Sequence, residues 1–445
     1  MSGADERTGF PISVFPADET AQRLVGLYPQ VQEGLWMQRI KVLGGRLTAI
    51  QWQTLAEIAR DLTPATPLHL TTRQDVELHG LTADRAVLAQ RAIATVGLTG
   101  LGAGGDTLRN ITVCPCSGTT AAAPDLVPLA WQVRGVLEAT AGILALPRKF
   151  KISFSACAQG CGQPWINDLG FVARQGDGRW GFEVVAGGSL GSRPRAAMRI
   201  AEFLPAEEVL PCVLGAIRVF AAHGDREHRG RARLRHVRER FGDERFLAMV
   251  CDALVAAKAE RPWPAPPWVD PGEAFDERLT LVFPNGDVTP QEAAALAGLA
   301  QDGSLRMRIG NQHQVVVFGR DGTAPAAVAR WPALDRARTP QPSVVACPGR
   351  RWCRRGLADT RALADRLRAL PAGCLPPGAT VCISGCPNGC AHSAVADIGL
   401  IGVRAAGREA YHLFIGGGMG RNDRLAEPAG RNLSPDDVVD RLARR

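Results

Sequence analysis

The chain has 445 residues, 46% of them hydrophobic, with 52 Lys and Arg against 44 Asp and Glu, a net charge of +8. That length exceeds one ordinary domain, while no apolar run approaches a membrane span. No helix-turn-helix, zinc-finger or aromatic ribonucleoprotein motif is visible, so the positive charge points to small anions and acidic proteins rather than nucleic acid. Twelve cysteines behind a charged N-terminus, MSGADERTGF, that does not read as a signal peptide indicate metal or redox use in a reducing compartment, the cytoplasm.

Residues 1–22 read as a loosely ordered leader. WMQRIKV then alternates as a strand, Gly44-Gly45 turns the chain, and Thr48 caps a helix reaching Ile58. LHLTTRQDVELHGL follows as a further strand with Arg73 at its middle. The same order returns in LTLVFPNGDVTPQEAAALAGLA and LRMRIGNQHQVVVFG, which sets Thr289 against Thr48 and Asn311-Gln312 against Arg73-Gln74. A second repeat is gapless. KISFSACAQGCGQPWINDLGFVA matches TVCISGCPNGCAHSAVADIGLIG, and Cys157 with Cys386, Cys161 with Cys390, and Asp168 with Asp397 are all 229 residues apart (386 − 157 = 229). GGSLG and GGGMG keep that offset and read as packing turns. The chain is therefore expected to be α+β and duplicated as A-B-A′-B′ about a pseudo-twofold axis. Its modules are placed at 23–85, 105–205, 272–332 and 340–430. A basic helical connector occupies 206–262, and RPWPAPPWVDPG links the halves.

Four thiols stand out. Cys386 and Cys390 form a C-x3-C pair in the turn GCPNGC, and Cys347 and Cys353 a C-x5-C pair in ACPGRRWC. Two close pairs beside turn residues suit a cubane iron–sulfur cluster. Zinc also takes four thiolates, although its structural sites favour tighter spacings. In the first half, Cys157 and Cys161 repeat the second pair, and Cys114 and Cys116 stand as C-x-C where the first should be. These four either bind a second metal centre or are reduced thiols left by the duplication.

Four basic residues are further candidates: Arg73 in TTRQ, Arg109 in LRNITVC, and Lys149 and Lys151 in LPRKFK. At i and i+2 on a strand the two lysines share a face, and like charges so placed repel unless an anion lies between them. An exposed basic strand end is the plainer reading. Arg231, Arg233 and Arg235 in RGRARLRHV, with Arg148, could likewise be a solvated face or an anion site. His69, His79 and His392 have no partner at ligand spacing, and no flavin or nicotinamide fingerprint is present.

The pairing of C-x5-C with GCPNGC resembles the siroheme sulfite and nitrite reductases, and the resemblance covers nearly all of residues 24–430. It implies two ferredoxin-like half-domains (23–85, 272–332) alternating with two cofactor-binding domains (105–205, 340–430). It implies a siroheme and a [4Fe-4S] cluster, with Cys347, Cys353, Cys386 and Cys390 on the cluster and Cys390 also facing the siroheme iron. Arg73, Arg109, Lys149 and Lys151 match the family's substrate positions. Arg148, Arg231, Arg233, Arg235 and Asn388 fall where the tetrapyrrole is held. The activity implied is six-electron reduction of sulfite, with nitrite as a slower substrate, by a monomer fed by an acidic donor such as ferredoxin. Lys151, where nitrite-preferring members resemble this motif but carry Asn, motivates the choice of sulfite. A ferredoxin-dependent nitrite reductase, a precorrin-3B synthase and a non-catalytic tetrapyrrole or electron-relay protein are the alternatives.

Overall fold

The structure, a computed structural model, describes residues 14–119, 123–176, 178–267, 275–339 and 342–444. Most of the expected leader and the end of the proline-rich linker lie outside the described residues. The chain divides into two compact units: 1–104 with 276–415 and 426–445, and 105–275 with 416–425.

The first unit contains both strand–helix modules. Thr48 opens the helix Ala49–Leu62 by accepting the Gln51 amide at 3.3 Å while Gln51 accepts the Thr48 amide at 2.9 Å. Thr289 and Glu292 repeat this capping box on the helix Pro290–Leu299. Each box satisfies two amides that a helix start leaves without partners. The turns before them also match, with Gly44 and Asn285 at φ 59 and 58. Both helices bury their apolar faces in one core that includes Trp52, Leu55, Phe283 and Leu296.

LHLTTRQDVELHGL is not one strand. It is a hairpin of Leu68–Leu70 and Val76–Leu81, with His69 opposite Glu77 and Leu70 opposite Val76. Thr71 Oγ1 accepts the amides of Arg73 at 3.2 Å and Asp75 at 3.0 Å, and Gln74 takes φ 63. Threonine's side chain thus competes with the ladder for backbone donors and folds the segment over. The second module turns the same way between Arg306–Ile309 and Gln314–Gly319, with His313 at φ 57. Gln74 therefore corresponds to His313 and Arg73 to Gln312, one position away from the expected pairing. The halves interlock reciprocally. A Cβ on Gly286 would lie 2.6 Å from the Leu70 carbonyl oxygen, and one on Gly45 would collide with that of Ile309.

The remaining part of this unit is a sheet. Ser343–Ala346, Thr380–Ser384 and Ile398–Ala405 run parallel, and Arg408–Ile415 and Glu427–Leu433 add antiparallel. The second unit holds its copy: Thr112–Val113, Ile152–Ser155 and Leu169–Gly176 parallel, then Arg179–Ala186 and Met198–Pro205 antiparallel. Strand starts keep the sequence offset: 398 − 169, 408 − 179 and 427 − 198 are each 229. The copy's core stacks Phe154 on Phe171 at 4.8 Å, with Phe182 edge-on to both. Helices Val209–His223, Leu234–Phe241 and Asp243–Ala259 make up the basic connector.

Candidate functional site

In the first unit the end of one parallel strand and the loop after the next bring Cys347, Cys353, Cys386 and Cys390 together. The Cys347 amide donates to the Ile383 carbonyl at 3.1 Å, and the Gly385 amide donates to Cys347 Sγ at 3.1 Å. Gly389 closes the C-x3-C turn by donating to the Cys386 carbonyl at 3.3 Å, in a conformation (φ 67) that a side chain would strain. Residues 352–354 reach this group by pairing with residues 30 and 31: Cys353 bridges Gln30, and the Val31 amide donates to the Trp352 carbonyl at 3.2 Å. The thiols feel one another. Burial pushes Cys386 up to about 11, with Cys390 and Cys353 adding to the rise, and burial also raises Cys347 and Cys353. Thiols packed this way resist ionising together unless a metal's positive charge compensates. Four thiols in two close pairs, with the Gly385 amide donating to Cys347 Sγ as an amide would to a cluster thiolate, fit a cubane cluster.

Arg73 lies in the same unit, on the hairpin turn. Thr72 Oγ1 donates to the Cys390 carbonyl at 2.7 Å, which ties that turn to the cysteine loop. Asn388 is exposed on the loop.

The second unit presents three of the four basic candidates on one face. Phe150 is fully buried and bridges Leu108 in parallel register, and the Arg109 amide donates to the Phe150 carbonyl at 2.9 Å. Neighbours of a residue facing the core point the other way, so Lys149, Lys151 and Arg109 share the opposite face. The two lysines sit in the extended lead-in to the strand Ile152–Ser155, not within the strand as expected. Arg109 is steadied by donating from Nη2 to the Gly105 carbonyl at 3.0 Å. Asp168, fully buried, accepts the Lys151 amide at 2.9 Å and pairs with Arg233 at 2.7 Å.

The other tetrapyrrole candidates differ in what they offer. Arg233 is committed to Asp168, and Arg148 pairs with Asp106 at 2.6 Å. Arg231 is exposed. Arg235 pairs with Glu239 at 2.8 Å, yet its Nε is buried without a hydrogen-bond partner. Burial lowers the Arg235 pKa, opposed by Glu239 and reinforced by Arg233. A carboxylate supplied by a ligand would satisfy that donor and relieve the cost.

The histidines prove to be a cluster. His69 lies 5.2 Å from His313 and 6.0 Å from His79, ring to ring, and His79 Nε2 approaches Glu77 Oε2 at 3.1 Å. His79 also stacks on Trp352 at 4.4 Å, directly before Cys353. Three residues from two strands and a turn meet here, and no linear spacing signals it.

The family described as "Nitrite and sulphite reductase 4Fe-4S domain" matches residues 104–257 and 342–443, and "Nitrite/Sulfite reductase ferredoxin-like half domain" matches 28–95. An assimilatory ferredoxin-dependent nitrite reductase of Haloferax mediterranei is 32% identical over 93% of this chain and 79% of its own length. A ferredoxin–nitrite reductase of Synechococcus elongatus is 30% identical, covering 93% and 86%. A sulfite reductase (NADPH) hemoprotein beta-component of Acidithiobacillus ferrooxidans is 30% identical, covering 90% and 78%. The solved structure of the Mycobacterium tuberculosis NirA protein superposes with a TM-score of 0.80 at 25% identity, over 96% of this chain and 87% of that one.

Proposed function

Because the chain belongs to the siroheme-dependent nitrite and sulfite reductase family, we propose that it reduces nitrite to ammonia in preference to sulfite, with electrons from a ferredoxin. It is an oxidoreductase of that family, with siroheme and a [4Fe-4S] cluster as cofactors. The observation that carries the reading is the basic face of Arg109, Lys149 and Lys151 held by the Phe150 bridge. When bound, siroheme would supply the redox-active iron for the overall conversion of nitrite, with six electrons and eight protons, to ammonium and two waters.

The chain's residues supply the rest. Cys347, Cys353, Cys386 and Cys390 would hold the cluster, and Cys390 would also serve the siroheme iron. Arg235, with its unmet Nε, would take a siroheme carboxylate, with exposed Arg231 beside it in the chain; Arg233 and Arg148 would have to share their guanidinium groups with Asp168 and Asp106, and Asn388 would border the cofactor. Arg73 and Arg109, always charged, bind the anion's oxygens. Lys149 and Lys151 are cations that can also give up protons, as each departing oxygen needs. Asp168 positions Lys151 through its backbone amide.

Nitrite displaces sulfite, the substrate expected from Lys151, because nitrite reductases of Haloferax mediterranei and Synechococcus elongatus support it at 32% and 30% identity. Sulfite remains the second reading, favoured by Lys151 itself and by the sulfite reductase hemoproteins at 30% and 29% identity. The test is kcat/KM for each anion with reduced ferredoxin as donor. A ratio in favour of sulfite overturns the preference, and no turnover of either anion overturns the activity. Lys151→Asn removes one ammonium and is expected to raise the nitrite-to-sulfite ratio roughly tenfold, since a close charge contact is worth about 1–3 kcal/mol. An unchanged ratio removes Lys151 as selector.

A further inference from the structure

The second unit carries four thiols that none of the chemistry above uses, and their backbone repeats that of the cluster-bearing thiols bond for bond. The Cys114 amide donates to the Phe154 carbonyl at 2.9 Å, as Cys347 donates to Ile383. The Ala156 amide donates to Cys114 Sγ at 3.1 Å, the same distance as Gly385 to Cys347. Gly160, at φ 61, donates to the Cys157 carbonyl at 3.1 Å, as Gly389 does to Cys386. After each loop Ser155 or Ser384 accepts an amide, from Gly162 at 3.0 Å and Ala391 at 3.1 Å. Drift after a duplication preserves a fold, but nothing in packing alone requires cysteine at both loop positions and at the strand end.

The fourth ligand departs from the repeat and still arrives. Cys116 follows Cys114 by two residues instead of six, in a turn where the Ser117 amide donates to the Cys114 carbonyl at 3.1 Å. Cys116 and Cys157 lie close enough to Cys161 to act on its thiol, and Cys116 and Cys157 likewise act on Cys114. The backbone shared with the cluster-bearing loops points to the same kind of polynuclear centre, and zinc is the alternative that the test separates.

We propose that Cys114, Cys116, Cys157 and Cys161 bind a second iron–sulfur cluster of the cubane type in the unit 105–275. The assignment does not depend on which anion is reduced, nor on reduction at all, because its test counts atoms. Protein purified without oxygen is assayed for iron, acid-labile sulfide and zinc per chain. Two cubanes give about eight sulfides per chain and one gives about four. The double variant Cys157→Ser/Cys161→Ser is expected to lose about four sulfides while keeping its siroheme absorption band. About four sulfides in the unmodified protein overturns the proposal, as does one zinc per chain that disappears in the variant. If the variant fails to fold, the count on the unmodified protein still decides.

Discussion

At Cys386 the proposed ligand role has a direct consequence. Cys386→Ser replaces a thiolate by a hydroxyl that ligates iron poorly, and the protein is expected to lose about four sulfides with the cluster at Cys347. Full retention of sulfide would remove Cys386 from the ligand set. The buried imidazoles give a second consequence. Burial holds His69 down to about 3 from its ordinary 6.5, and His313 well below it too. Both stay neutral in the folded chain but take up protons when it unfolds. Their contribution to stability is complete above about pH 6.5 and is lost as pH falls toward 3. Asp75, raised to about 6 by burial, works the other way between about pH 4 and 6. Two histidines outweigh one carboxyl, so the unfolding midpoint in urea should fall with acidification below pH 6.5. His69→Gln should flatten that slope, and an unaltered slope would show that His69 does not set it.

Among the elements, the paired capping boxes are the clearest case. Thr48→Ala and Thr289→Ala each remove one cap from matching helices of a common core. Each is expected to cost about 1 kcal/mol in denaturant unfolding. The sites lie on separate helices without a shared hydrogen bond, so the double variant should cost about the sum. A cost near zero for either would mean that tertiary packing alone holds that helix. The hairpin turns show the opposite balance. The Thr71 turn and its counterpart at Gly310 hold the same shape with unlike residues, so the backbone geometry outlasted the side chains that make it.

For the molecule as a whole, the net charge of +8 sets the expected character of the electron donor. Association with an acidic ferredoxin is steered by opposite charge and screened by salt. The apparent KM for ferredoxin should therefore rise steeply between low and high ionic strength while turnover with a small uncharged reductant changes little. Salt-independent turnover with ferredoxin would mean that net charge plays no part in docking. No helix among the described residues is long and apolar enough to cross a membrane.

The sequence by itself determined the duplication, since a gapless offset of 229 can be read without coordinates and the strands keep it. It also determined the candidate thiols and cations, because ligand chemistry restricts which side chains can serve, and the cap at Thr48, because a capping box is complete within four residues. Only the tertiary structure decided that LHLTTRQDVELHGL is a hairpin: the turn depends on a threonine oxygen competing with strand hydrogen bonds, which an alternating pattern does not record. The structure likewise decided that Arg109 lies beside the segment that carries Lys149 and Lys151, through the bridge of Phe150 to Leu108, some forty residues away in the chain. It alone gathered His69, His79 and His313, whose approach is set by which strands are neighbours. Finally it placed Cys116 beside Cys161 although only one residue separates Cys116 from Cys114, because a tight turn follows Cys114.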